Sequence, residues 1–90
     1  MLCDKYSLIA AYPNPFNPAT KIRYELPENS YVKLVVYNMI GQQIAVLADG
    51  YKEAGRYFEN FNAGDLPSGT YIYQLIAGAF SDEKKMVLVK

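Results

Sequence analysis

An all-β, antiparallel sandwich is the fold this sequence predicts, and three observations predict it. Apolar and polar residues alternate with a period of two in Lys21–Leu26, Tyr31–Met39 and Thr70–Ala77, the pattern of a strand with one buried face. Glycine, proline or asparagine interrupts the chain between the alternating runs. Nothing apolar recurs at helical spacing for more than two turns, so no long helix competes.

Tyr6–Tyr12 is the first candidate strand. The run Tyr12-Pro13-Asn14-Pro15-Phe16-Asn17-Pro18 then excludes both helix and central strand. Each proline fixes its own φ, lacks an N–H and pushes the residue before it into extended space. The run reads as a rigid corner, with Asn14 and Asn17 suited to turn positions and Tyr12 and Phe16 available to anchor it to a core. Lys21–Leu26 sets Ile22, Tyr24 and Leu26 on one face, and Pro27-Glu28-Asn29-Ser30 breaks the strand. Tyr31–Met39 turns Val32, Leu34 and Val36 one way and Tyr31, Lys33, Val35 and Tyr37 the other. Ile40-Gly41-Gln42 is a hairpin-type turn in which Gly41 can take positive φ.

Gln43–Leu47 is a shorter strand, and Asp49-Gly50 and Ala54-Gly55 mark turns. Arg56–Asn62 aligns Tyr57, Glu59 and Phe61; Glu59 on that face leaves two readings open, an edge strand or a carboxylate reaching solvent. After the loop Leu66-Pro67-Ser68-Gly69, Thr70–Ala77 aligns Tyr71, Tyr73 and Leu75. Ala77-Gly78-Ala79 turns into a last strand, Phe80–Val89. Seven short strands at this spacing imply an immunoglobulin-like Greek-key sandwich. The chain has one cysteine and no tryptophan, so any likeness to antibody domains is architectural. Leu34, Val36, Phe61 and Leu75 are expected in the core.

Ninety residues make one domain, and 51% hydrophobic content supports a folded one. A formal net charge of zero argues against nucleic acid as a partner, which would call for a basic face. The absence of histidine removes the commonest general base and transition-metal ligand. Cys3 stands alone, without a disulfide partner or the companions a zinc site needs. No apolar run is long enough for a transmembrane helix. Residues 1–5 read as a leader or appended remnant and lack the regions of a secretory signal; Tyr6–Lys90 read as the domain.

No catalytic, cofactor or metal site emerges. Ser7, Ser30, Ser68 and Ser81 have no histidine to activate them. The adjacent Asp82 and Glu83 point to opposite faces of a strand. Gly64, Gly69 and Gly78 form no phosphate-binding pattern. Asp49, Glu53, Asn62 and Asp65 offer oxygen ligands without calcium-loop spacing. Among the chain's nine tyrosines, Tyr24, Tyr71 and Tyr73 read as core or tyrosine-corner residues, and Tyr31, Tyr37 and Tyr51 could lie exposed and stack on sugars. The ending Lys84-Lys85-Met86-Val87-Leu88-Val89-Lys90 has two readings. It is a last strand with a lysine-rich rim against aggregation, or a recognition strand whose backbone groups are offered to a partner.

The proline corner, Tyr6-Ser7-Leu8 before it, Thr20–Pro27, Val32–Asn38, Gly41-Gln42, Leu66–Tyr71 and Lys84–Lys90 occur in an order that resembles the C-terminal sorting domain of proteins exported by the type IX secretion system of Bacteroidetes and related bacteria. The resemblance spans Tyr6–Lys90. Glu59 departs from it, since an apolar residue is common there. The resemblance implies an address, not an enzyme. It implies an N-terminal cargo domain on the same polypeptide, passage through the periplasm, and a final place on the cell surface or outside. The implied partners are the outer-membrane translocon, with shuttle and sortase components; in many members a sortase cleaves ahead of the domain and links the cargo to an anionic lipopolysaccharide. No cofactor is implied. The motif residues carried over are Pro13, Asn14 and Pro15 in the corner; Val36, Tyr37 and Gly41 in the central strand and turn; Ser68, Gly69, Tyr71 and Leu75 in the loop and strand; and Lys85, Val87 and Lys90 in the terminal strand. The alternative is a non-catalytic immunoglobulin-like module, structural or carbohydrate-adhesive, appended to a secreted enzyme.

Overall fold

The computed structural model describes residues 4–90, so Cys3 and the first residues of the expected leader lie outside the described residues. Seven strands follow in chain order: β1 (Ser7–Leu8), β2 (Ala19–Leu26), β3 (Ser30–Asn38), β4 (Gln43–Lys52), β5 (Gly55–Asn62), β6 (Gly69–Ala77) and β7 (Phe80–Leu88). All strand pairs are antiparallel, and there is no helix among the described residues. They form two sheets, one ordered β1-β2-β5 and the other β4-β3-β6-β7. The chain crosses between sheets after β2, β4 and β5.

Period-two alternation does what the sequence leads one to expect. Ile22, Tyr24 and Leu26 from β2 are fully buried, and so are Leu34 and Val36 from β3 and Tyr73 and Leu75 from β6. Phe61, Tyr71, Met86 and Leu88 complete the layer between the sheets. Each such side chain contributes about 1.5–3 kcal/mol through loss of apolar surface from water.

Three expectations for the strands are corrected. The first strand covers only Ser7–Leu8, not Tyr6–Tyr12. The ladder lapses beyond Ile9 because Tyr73 takes the backbone there: its hydroxyl accepts from Ala11 N at 2.8 Å and donates to Ile9 O at 3.2 Å. Pairing resumes at a bridge between Tyr12 and Lys21. β4 does not stop at Leu47. It runs through Asp49-Gly50, expected as a turn, because Lys33 and Val32 continue to pair with those residues past a register shift at Leu34/Val35. Tyr12, offered as an anchor, is 72% exposed.

Charged side chains mark the edges of both sheets. Glu59 lies on β5, an edge strand, which settles its placement. On β7, the other sheet's edge, Asp82 and Lys84 sit opposite the core residues Leu75 and Tyr73, on the inner side. Inward charges of this kind discourage pairing with another chain.

Nine-residue strands at about 3.3 Å per residue are ~30 Å long, so they run along the longest of the molecule's dimensions, 38 × 24 × 16 Å. The molecule therefore has two poles. At the proximal pole the chain leads in: Tyr6 stacks on Phe80 with ring centroids 5.2 Å apart, and its hydroxyl lies 2.9 Å from Ser30 Oγ. At the distal pole are the β3–β4 turn, the β5–β6 loop and Lys90.

Candidate functional site

The proline corner lies against the terminal strand. In an antiparallel ladder alternate residues turn their N–H and C=O away from the partner, and on β7 these are Lys85, Val87 and then Val89. The corner satisfies them in succession. Asn14 behaves as a substitute peptide: its Oδ1 accepts from Val87 N at 2.9 Å and its Nδ2 donates to Lys85 O at 3.4 Å. Two residues on, Phe16 N donates to Val87 O at 2.9 Å, and Phe16 O accepts from Val89 N at 3.0 Å. The Phe16 ring is buried edge-on to Phe61, with centroids 6.0 Å apart. Thr20 Oγ1 donates to Pro13 O at 2.7 Å and steadies the corner from the other side.

Two expectations change as a result. Asn14 does not bond its own turn but a strand more than 70 residues away. The terminal strand, read as offering free backbone groups, has the outer edge of its last half covered by the chain itself. Only its beginning, around Ser81–Glu83, lies beyond the corner's hydrogen bonds.

Most of the remaining motif residues gather at the same pole; Leu75, paired with Leu34 and Asp82, lies toward the other. Tyr37 is half-buried, not exposed, and pairs with Ile72, which pairs in turn with Lys85. Gly41 has φ +89 in the β3–β4 turn. The backbone N of Lys90 donates to Ser68 Oγ at 3.1 Å, and its Nζ donates to Gly64 O at 2.8 Å. Gly69 pairs with Leu88. The Tyr71 hydroxyl donates to Pro67 O at 2.7 Å and closes the loop before β6. Val36 and Leu75 lie in the core. Pro13 and Pro15 are exposed on the corner.

Sequence reasoning missed two participants. The Tyr73 hydroxyl stitches Ile9 and Ala11 across the sandwich; its face, and a corner-type role for its hydroxyl, are readable from sequence, but these partners are not. Asn38 organises the β3–β4 turn through both its backbone and its amide; an asparagine three residues before a glycine is the available signal.

Corner and terminal strand hold each other, and among the described residues no nucleophile and base converge there. Glu59 accepts from the Tyr24 hydroxyl at 3.0 Å. Burial first, then the Glu59 charge, pushes that hydroxyl well above the usual tyrosine range. Asp49 and Glu53 lie toward the proximal pole, whereas Asn62 and Asp65 lie at the distal one, so these oxygens are not brought together. Among the described residues no group of three or more candidate ligands could hold a metal ion.

Residues 10–90 match the family model of the secretion system C-terminal sorting domain. The chain belongs to this family. The sorting domain is a C-terminal secretion signal for type IX secretion, acting on cargo bound for the cell surface or the exterior. The family is one of signals, not of catalysts. No curated protein matches this sorting domain. Among its described residues no helix is long and apolar enough to cross a membrane.

Proposed function

We propose that Tyr6–Lys90 act as the address of a cargo domain that precedes them in the same polypeptide. The cargo passes through the periplasm, and the domain is received by shuttle and outer-membrane translocon components of the type IX system and then by a sortase at the cell surface. The domain itself performs no chemistry. The observation that carries this reading is the family match over residues 10–90, supported by the convergence of motif residues from separate segments on one pole. The boundary at Tyr6 is supported by its stacking on Phe80 and its hydrogen bond to Ser30. The strand order, three strands facing four, supports an immunoglobulin-like topology. The exposed Tyr31 and Tyr51, on which a carbohydrate-adhesive reading would rest, pack against each other edge-on at 5.2 Å as a cross-strand pair. They lie toward the other pole.

A signal peptide and fluorescent reporter fused ahead of Tyr6–Lys90 tests the reading. In a host with a compatible type IX system the reporter should reach the medium or the cell surface. Its retention in the periplasm, in hosts that export related cargo, would sink the proposal. Deleting Met86–Lys90 should abolish export, but it also removes Met86 and Leu88 from the core and uncovers Phe16. Lys85→Ala and Lys90→Ala separate recognition from folding. Both side chains are exposed, so stability should change by less than ~0.5 kcal/mol at Lys85 and somewhat more at Lys90, whose Nζ bonds Gly64 O, while export falls if the pole is read through its lysines.

A further inference from the structure

The β3–β4 turn displays two apolar side chains that the fold does not use. Met39 is 56% and Ile40 is 80% exposed. The backbone beneath them is fixed by hydrogen bonds on every side. Asn38 N donates to Gln42 O at 3.0 Å and Gly41 N donates to Asn38 O at 3.1 Å. Asn38 Oδ1 accepts from Ile40 N at 3.1 Å and Gln42 N at 2.9 Å, and its Nδ2 donates to Gln42 Oε1 at 2.7 Å. This is a three-residue hairpin loop closed by a glycine at positive φ. Such a loop makes demands of Asn38 and Gly41. It makes none of positions 39 and 40, which accept most residues, and polar ones would cost nothing in water. The turn thus holds a small apolar knob in a fixed orientation, at the pole where the motif residues gather.

We infer that Met39 and Ile40 are an anchor that enters an apolar pocket of a protein partner during export. The inference deepens the sorting reading and rests on it. The chemistry of the surroundings favours a protein over a lipid surface. From Leu34 to Ala48 the chain carries no charged residue. Tyr37, the aromatic residue beside the turn, is half-buried and not displayed with Met39 and Ile40, and the lysines of this pole, Lys85 and Lys90, lie on and after β7, which β6 separates from β3. Interfacial lipid contacts are normally flanked by Trp, Tyr, Lys or Arg. The neighbouring Gln42 and Gln43 are both exposed and suit the hydrogen-bonding rim of a protein pocket. A rigid turn also loses little entropy on docking, which is what makes a preorganised anchor effective.

The test compares the unmodified reporter fusion with Met39→Ser/Ile40→Ser and with Met39→Leu/Ile40→Val. The serine pair should leave the domain's melting temperature unchanged and reduce export by roughly tenfold or more, as loss of a central anchor does. The Leu/Val pair should export normally. Equal export by the serine pair and the unmodified fusion overturns the inference and leaves the sorting reading intact. Failure of the unmodified fusion overturns both. Two measurements on the purified domain check other occupants. Co-sedimentation with vesicles of phosphatidylethanolamine and phosphatidylglycerol should be absent; binding that the serine pair abolishes would replace the protein pocket with lipid. Sedimentation equilibrium should show a monomer; self-association that the serine pair abolishes would replace it with a second copy of this chain.

Discussion

Tyr73 and Tyr24 carry hydroxyls into the middle of a small core, and both depend on a specific acceptor there. Burial raises the Tyr73 hydroxyl above its ordinary value; the bond from Ala11 N offsets part of this, and Asp82 adds to it. Tyr24 is raised by burial and by Glu59. Both groups hold their proton more tightly in the native chain than in the unfolded one. Their contribution is therefore complete below a pH of about 10 and is lost as pH rises above it. Urea unfolding from pH 7 to 11 should show stability falling at the alkaline end, and Tyr24→Phe should flatten that fall. At the same scale, Leu34→Ala should cost about 2–5 kcal/mol through transfer and cavity terms; a loss under about 1 kcal/mol in urea would mean that the site collapses without a void. The faces of these residues were legible in the sequence because alternation fixes them. Their hydrogen-bond partners were not, since Ala11 lies 62 residues from Tyr73 and no local pattern encodes that distance.

Strands and corner depend on one another. Phe16→Ala should cost about 3–5 kcal/mol, because its ring fills the space against Phe61. Asn14→Ala should cost about 0.5–1.5 kcal/mol, the usual net worth of a hydrogen bond, since one of its two bonds is long. Amide exchange distinguishes the two variants. In Asn14→Ala the Val87 amide should lose protection while Val89, bonded to Phe16 O, keeps most of its own. Equal exposure of both amides would mean that Asn14 holds the whole corner. Existence and order of the strands were readable from period-two runs and their interruptions. The extent of β4 was not, because Asp49-Gly50 has turn composition and only pairing with β3 carries the strand through it. The first strand is shorter than its sequence suggests for the opposite reason: Tyr6–Tyr12 has strand composition, but Tyr73 takes two of its backbone groups. The corner was recognised as rigid from its prolines, whereas its docking on β7 is a tertiary fact that no proline spacing reveals.

Across the whole molecule, seven antiparallel strands with no helix among the described residues should give a far-UV circular dichroism spectrum without helical bands, and helical dominance would contradict the fold. The residues of the candidate site could be named from the resemblance, but the convergence of all but Leu75 on one pole could not, because it follows from the registers of β3, β6 and β7 taken together. The direction of the corner adds a mechanical property. The bridge between Phe16 and Leu88 is parallel, and the chain leads in at one pole while Lys90 lies at the other. A pull between the segment before β1 and Lys90 therefore loads the Asn14 and Phe16 hydrogen bonds in shear. They share the tension and must break together instead of unzipping one by one. A cargo drawn by its address would meet high resistance along this axis and little from a pull that peels β7 sideways. In single-molecule stretching by its ends, the domain should yield in one abrupt step, at a force that Asn14→Ala lowers.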